Sequence, residues 1–231
     1  MTRVLLVRHG LTALTGPVLA GRTPGVDLDD RGRAQAAAVA ERLSGISLSA
    51  IVSSPLERCR QTADLIAAGR QVETEPRLIE CGYGDWTGQE IKKLSKDPLW
   101  KVVQAHPSAV TFPGVDGEAM RDAQVRAVDA VRSWNEKLGP DATWLACSHA
   151  DIIKAIVADA LGMHLDTFQR IVIDPCSVTV ITYTSLRPFV VRVNDTGTDL
   201  ATLLAPPKKV GRRRGPTGGS DAVVGGGAGA N

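Results

Sequence analysis

The run Val4-Leu5-Leu6-Val7, four apolar residues with no polar one between them, constrains the fold more than any other stretch of the chain. Side chains on a strand point alternately to opposite faces, so an unbroken apolar run needs cover on both sides. Such a strand belongs inside a parallel sheet flanked by helices, and the segments that follow predict them. A loop punctuated by Gly and Pro runs to about Asp30. Residues 31–43 are Ala-rich with an Asp just ahead, which predicts a capped helix. Residues 50–53 read as a second short strand running into a helix over 56–68, with Pro55 near its first turn. A third strand is expected at 71–75, then a long irregular stretch over 76–117 holding short helices around 89–96 and 99–105.

Residues 118–138 have strong helical composition, with Met120, Val125, Val128, Val131 and Leu138 available for an inward stripe. Residues 143–148 read as a central strand feeding a helix over 151–161, and 177–184 and 189–194 as two late strands. Strand followed by helix, repeated with crossovers, predicts an α/β fold: a three-layer α/β/α sandwich with a mainly parallel sheet. A chain of 231 residues suits one such domain. The domain is expected to span 1–205. From Pro206 onward Gly, Pro and basic residues replace apolar ones, so 206–231 reads as a disordered basic, Gly-rich tail.

Charge follows that division. The tail carries Lys208, Lys209, Arg212, Arg213 and Arg214 against Asp221, a surplus of four positive charges in a chain whose formal total is +2. The remainder is therefore mildly acidic and does not read as a nucleic-acid binder. No apolar run approaches the roughly 18 residues of a membrane span, and no secretory leader is expected ahead of the first strand. Cys59, Cys81, Cys147 and Cys176 are scattered without CxxC spacing, so they read as reduced, buried or half-buried thiols, and a cytoplasmic location is expected. Oligomeric state leaves no signature in the sequence.

Three segments carry chemistry. The first is Arg8-His9-Gly10-Leu11-Thr12, at the carboxyl end of the first strand, where ligand sites of open α/β sheets gather. Arg8 offers a planar fork to phosphate oxygens, and Gly10 is expected to let the backbone approach the phosphate. His9 can act as a nucleophile if a hydrogen bond at its other nitrogen fixes the tautomer. The second, Ser148-His149-Ala150, ends the central strand just before a helix, whose N-terminus adds donors for an anion. The third runs from Ser53 to Ala63 and places Arg58 in the first turn of a helix. Taken singly, each has an ordinary reading as a strand-end histidine or a surface arginine. His106 and His164 read as solvated loop residues.

Together these segments resemble the histidine phosphatase (phosphoglycerate mutase-like) superfamily. Its Arg-His-Gly-x-Thr motif stands here as Arg8 to Thr12, and its Ser-Ser-x-x-x-Arg-x-x-Gln-Thr-Ala motif as Ser53 to Ala63. Its second histidine stands as Ser148-His149, and its Leu-x-Glu-x-x-x-Gly-x-Trp-x-Gly motif as Leu78 to Gly88. The resemblance implies a phosphoryl group surrounded by Arg8, Arg58, His9 and His149, with His9 attacking in line. It implies that Glu80 protonates the leaving oxygen and later takes a proton from water. Gly21 and Arg22 become candidate substrate-side residues, and neither metal nor organic cofactor is expected. The chain departs from the common pattern at Leu11, Thr15, Gly117-Glu118-Ala119 and Ala150, all touching substrate or supporting positions.

Three functions follow for comparison. The favoured one is a phosphomonoesterase acting on a small-molecule substrate. The alternative is a cofactor-dependent phosphomutase of the phosphoglycerate type. Only 69 residues separate Glu80 from His149, short of the longer insertion that glycolytic mutases share, and Glu80-Cys81-Gly82-Tyr83-Gly84 replaces their Glu-Arg-His-Tyr-Gly. The third, a non-catalytic phospho-ligand binder, is disfavoured by the presence of Arg8, His9, Arg58, Glu80 and His149 together.

Overall fold

A computed structural model describes residues 1–197 and 224–228. In chain order the elements are β1 (Thr2–Arg8), α1 (Asp30–Leu43), β2 (Ile51–Ser53), α2 (Glu57–Ala67), β3 (Glu73–Thr74), α3 (Ile91–Leu94) and α4 (Pro98–Ala105). Then follow α5 (Met120–Leu138), β4 (Thr143–Ser148), α6 (Ala150–Ala160), β5 (Val178–Tyr183) and β6 (Pro188–Asp195). Among the described residues six strands form one sheet in the order β3-β2-β4-β1-β5-β6. Pairings among β3, β2, β4 and β1 are parallel, whereas β5 runs antiparallel to β1 and β6 antiparallel to β5. The sheet is thus mixed, with its parallel part at the centre.

The apolar run of β1 is covered on both faces. Val4 and Leu6 pack with Ala127, Val131, Ile153 and Ile156 of α5 and α6 on one side. Leu5 and Val7 pack with Val39 and Leu43 of α1 and Ala63 and Ile66 of α2 on the other. Each such side chain contributes roughly 1.5–3 kcal/mol on burial. A slip of one residue would exchange the two sets, so the register of β1 against β4 is fixed from both faces. That register, Arg8 opposite Ser148 with Ser53 opposite Cys147, aligns the carboxyl ends of β1, β4 and β2 side by side.

α1 begins one residue earlier than the sequence suggests, because Asp29 accepts a hydrogen bond from Gly32 N and caps it. The inward stripe of α5 also differs. It consists of Met120, Ala123, Ala127, Val128, Ala130, Val131 and Trp134, spaced three and four apart, while Val125 is 58% exposed. Two positions before Ala127, Val125 turns about 200° away from the buried face. The long helix seats itself through alanines and a tryptophan more than through its valines.

All four cysteines are buried and free, and the side chains of His106 and His164 are about 70% exposed, as expected. Among the described residues no helix is long and apolar enough to cross a membrane. The domain boundary at 205 and the basic stretch from Lys208 to Arg214 lie outside the described residues. Within the expected tail, residues 224–228 pack against the domain: Val224 is 1% exposed, and the glycine carbonyls after it meet Arg8. Composition predicts a segment with nothing to bury, but one valine and a few backbone acceptors suffice to seat these five residues.

Candidate active site

The three aligned strand ends bring Arg8, His9, His149 and Arg58 together. His9 follows β1, and its backbone N–H continues the ladder to Ser148 O at 3.0 Å. His149 is the N-cap of α6, directly after β4. Arg58 projects from the first turn of α2, whose preceding strand β2 lies on the other side of β4. Glu80 arrives from the loop after β3, with its carboxylate oxygen 3.9 Å from His149 Nδ1. All five side chains are buried.

Hydrogen bonds set the tautomer of His9. Its Nδ1 lies 2.8 Å from Gly10 O, an atom that can only accept, so Nδ1 carries the proton. Nε2 then keeps its lone pair and receives a long 3.3 Å hydrogen bond from Arg58 Nε. Burial, reinforced by Arg58 and Arg8, holds the His9 imidazole well below its usual pKa and therefore neutral. A neutral imidazole with a fixed Nδ1–H and an accessible Nε2 is a nucleophile.

His149 is held at both nitrogens. Arg58 Nη2 lies 3.3 Å from Nδ1, and Ser54 Oγ lies 2.8 Å from Nε2. Since arginine only donates, Nδ1 accepts and Nε2–H donates to Ser54. Burial, then Arg58, keep this ring neutral as well. Cys59 Sγ lies 3.4 Å from the same Nε2. The two imidazoles meet edge to face with centroids 5.3 Å apart.

Two buried guanidinium nitrogens, Arg8 Nε and Arg58 Nη1, have no hydrogen-bond partner among the described residues. A buried unpaired donor costs about 1–3 kcal/mol, so two beside a nucleophilic histidine are the mark of an anion site. Arg8 Nη1 donates to Ile173 O at 2.8 Å and Arg58 Nη2 to Gly21 O at 2.7 Å, which fixes both side chains.

Glu80 is tuned by its surroundings. Burial, with help from the charge of Asp151, lifts its carboxyl to about 7, against the pull of Arg58, a hydrogen bond from Cys81 N and Arg8. It is therefore about half protonated at neutral pH and able to act as an acid. Asp151, in the first turn of α6, accepts from Tyr83 Oη at 2.8 Å and pairs with Lys154 Nζ at 3.3 Å. Burial and Asp151 push the Tyr83 phenol well up, so it remains a donor.

A bracket of charge holds the backbone of Glu80. Arg126 of α5 donates to the carbonyls of Arg77, Ile79 and Glu80, and Arg22 Nε donates to Glu80 O at 2.8 Å. Glu118 ties the two arginines together, accepting from Arg22 Nη2, from Arg126 and from Gly82 N. Its burial would raise its pKa, but these partners outweigh it and hold the carboxylate below the usual range.

The sequence candidates Arg8, His9, Arg58, Glu80 and Gly21 line one pocket, and His149 packs directly behind it. Arg22 is not part of that lining, being turned to Glu80 O and Glu118. Gly10 has a different reason for being glycine than a close approach to phosphate. A Cβ there would lie 2.6 Å from Gly32 O, so it is the packing of α1 that excludes a side chain. Thr12, Thr15, Val18, Leu19 and Ile91 complete the pocket wall, and Val224, Gly225 and Gly226 close it. Sequence reasoning did not reach Asp151 or Lys154. Their signal is an Asp and a Lys three apart on a helix otherwise made of Ala, Ile and Val up to Asp159 near its end. Among the described residues no group of three His, Cys, Asp or Glu side chains could hold a metal ion.

Comparison with known proteins agrees with this geometry. The chain is 32% identical over 209 residues to phosphoserine phosphatase 1 of Hydrogenobacter thermophilus, covering 85% of this chain and 93% of that protein. It is 28% identical over 188 residues to a probable phosphoglycerate mutase of Cronobacter sakazakii, covering 79% and 86%. Its fold superposes on the mycobacterial glucosyl-3-phosphoglycerate phosphatase with a TM-score of 0.75 at 25% identity, covering 84% of this chain and 98% of that one. The sequence pattern of the histidine phosphatase superfamily (branch 1) matches residues 4–196, and the chain belongs to that family.

Proposed function

We propose that this protein hydrolyses small phosphomonoesters without a metal ion, through a phosphohistidine on His9. The observation that carries the reading is the His9 Nδ1 to Gly10 O bond, which leaves Nε2 facing Arg58 and two unpaired arginine nitrogens. The ester phosphate sits among Arg8, Arg58 and His149, and the donors of the two arginines meet charge on its equatorial oxygens. His9 Nε2 attacks phosphorus in line as the ester P–O bond breaks, and Glu80 gives its proton to the departing oxygen. The Glu80 carboxylate then takes a proton from water, whose oxygen attacks phosphorus. The P–N bond breaks, releasing phosphate, and His9 recovers its lone pair. His149 stays neutral, accepting from Arg58 at Nδ1 and donating from Nε2 to Ser54 Oγ, and so holds Arg58 against the phosphoryl group.

Hydrolysis is favoured over transfer back to substrate by the short stretch between Glu80 and His149, and by the greater identity to the Hydrogenobacter phosphatase than to the Cronobacter protein. The substrate is a small molecule and not a nucleic acid, and the four buried free thiols suit the reducing cytoplasm.

The test is phosphoenzyme trapping in excess EDTA. With p-nitrophenyl phosphate, whose leaving group needs little protonation, Glu80→Gln should accumulate label while its hydrolysis slows. That label should be acid-labile and base-stable, as a phosphoramidate is. His9→Ala should form no label and show background hydrolysis. A label retained in His9→Ala, or activity lost to EDTA and restored by a divalent ion, would overturn the mechanism. A wild-type phosphoenzyme that is long-lived in water and discharges onto 2- or 3-phosphoglycerate would make the protein a mutase.

A further inference from the structure

The segment Val224 to Gly227 runs through the mouth of the site described above. Val224 is buried in the main core cluster, and Gly225 N donates to Asp151 Oδ2 at 2.9 Å. Gly226 O then accepts from Arg8 Nη2 at 3.2 Å, and Gly227 O from Arg8 Nη1 at 2.8 Å. Those are the two terminal nitrogens that an arginine fork presents to a phosphate. Here a pair of backbone carbonyls takes them. Arg8 Nε and Arg58 Nη1, both buried, have no such partner among the described residues.

The glycines are fitted to the crevice. Gly225 and Gly226 have φ of +76° and +73°, in the left-handed region that disfavours any side chain. A Cβ on Gly225 would lie 2.7 Å from Leu19 Cδ1. One on Gly226 would overlap Ala150 Cβ and lie 3.0 Å from Arg8 Nη1. Ala150, the first residue of α6, thus forms the floor of the crevice under Gly226.

We propose that Val224 to Gly227 is an autoinhibitory strap that competes with the substrate phosphate for Arg8. This rests on the reading of the pocket as a phosphate site. The strap holds Arg8 through neutral carbonyls, whereas a phosphate dianion makes charge-assisted bonds to the same nitrogens and reaches the unpaired Arg8 Nε and Arg58 Nη1 as well. Substrate therefore displaces the strap, at the cost of an apparent affinity reduced by the fraction of molecules in which the strap is open.

The decisive variant is Gly226→Val in the full chain, with deletion of residues 224–231 as the second. Orthophosphate affinity is measured by calorimetry, and KM and kcat with p-nitrophenyl phosphate. Both variants should bind orthophosphate about five- to tenfold more tightly and lower KM by the same factor, with kcat within about twofold of wild type. A synthetic peptide of sequence Val-Gly-Gly-Gly-Ala should inhibit the deletion variant competitively. Unchanged orthophosphate affinity in both variants overturns the proposal. So does a raised KM in both, which would make the strap part of the substrate-binding wall. Because calorimetry needs no turnover, tighter orthophosphate binding without hydrolysis of any ester would uphold the strap while refuting the catalytic reading.

Discussion

Two pairs of arginines surround Glu80 and are held in opposite ways. Arg22 and Arg126 grip its backbone, and among the described residues no buried nitrogen of theirs lacks a partner. Arg8 and Arg58 face its carboxyl, and each keeps one buried nitrogen without a partner among the described residues. Glu118 neutralises the first pair through direct ion pairs, while no carboxylate forms an ion pair with the second among the described residues. The difference teaches how to separate structural from functional charge. A saturated guanidinium spends its donors on the fold, whereas one left short of partners in the interior reserves them for an anion that comes and goes.

The most severe test of that division exchanges one member of each pair. Arg58→Ala removes donors aimed at the phosphate, and kcat/KM should fall about a thousandfold or more, with weakened orthophosphate binding. Arg126→Met removes a donor to three carbonyls and an ion-pair partner of Glu118. Its cost should appear as roughly 2–3 kcal/mol of stability, with kcat/KM falling about tenfold or less. Steady-state kinetics beside thermal unfolding of both variants checks it. If Arg126→Met lost as much activity as Arg58→Ala at unchanged Tm, the two pairs would not be different in kind.

The sequence makes the second pair far more legible than the first. Arg8, His9 and His149 stand at strand ends and Arg58 in the first turn of the helix after one, and strand ends converge in this topology, so local pattern suffices to collect them. Glu80 is recognisable through its resemblance to a family motif. The bracket of Arg22, Glu118 and Arg126 joins a loop, a turn and the middle of α5, and no local periodicity reports such contacts. Gly21 and Arg22 are expected together on the substrate side from the family resemblance, yet Gly21, with φ of +53°, lines the pocket while Arg22 reaches to Glu80 O and Glu118. The parallel strands and α1, α2, α5 and α6 are likewise legible from apolar runs and spacing. The stripe of α5 is less so, because alanine marks a close helix contact without standing out as apolar. Residues 224–228 are concealed by composition, since glycine repeats look alike whether solvated or seated in a crevice.

A smaller effect sharpens the contrast through pH. Burial and Asp151 raise Glu80 to about 7, so the folded enzyme keeps this proton above the pH at which an ordinary glutamate loses it. The acid form is present below that value and disappears as pH rises through it. With an alkyl phosphomonoester, kcat should therefore fall about tenfold per pH unit above it. Glu80→Gln should be about a hundredfold slower and lose this alkaline limb. With p-nitrophenyl phosphate the limb should be shallower. An unchanged limb in Glu80→Gln would assign it to another group and leave Arg8 and Arg58 facing a carboxyl without an acid's role.

The gentlest perturbation falls on the outer arginine of the bracket. Arg22 is one-third exposed and pairs with Glu118 at 2.8 Å. After Arg22→Ala, Glu118 still accepts from Arg126 and from Gly82 N, so no buried charge is stranded. Glu80 O likewise keeps Arg126 Nη2 at 3.1 Å. Screening by solvent leaves such a pair worth about 1 kcal/mol or less. Arg22→Ala should accordingly lower Tm by only a few degrees and change KM by less than about threefold. The measurement is KM across several phosphomonoesters together with Tm. A tenfold rise in KM for one ester at unchanged Tm would turn Arg22 toward the substrate after all. The saturated pair would then be split, with Arg126 serving the fold and Arg22 the ligand.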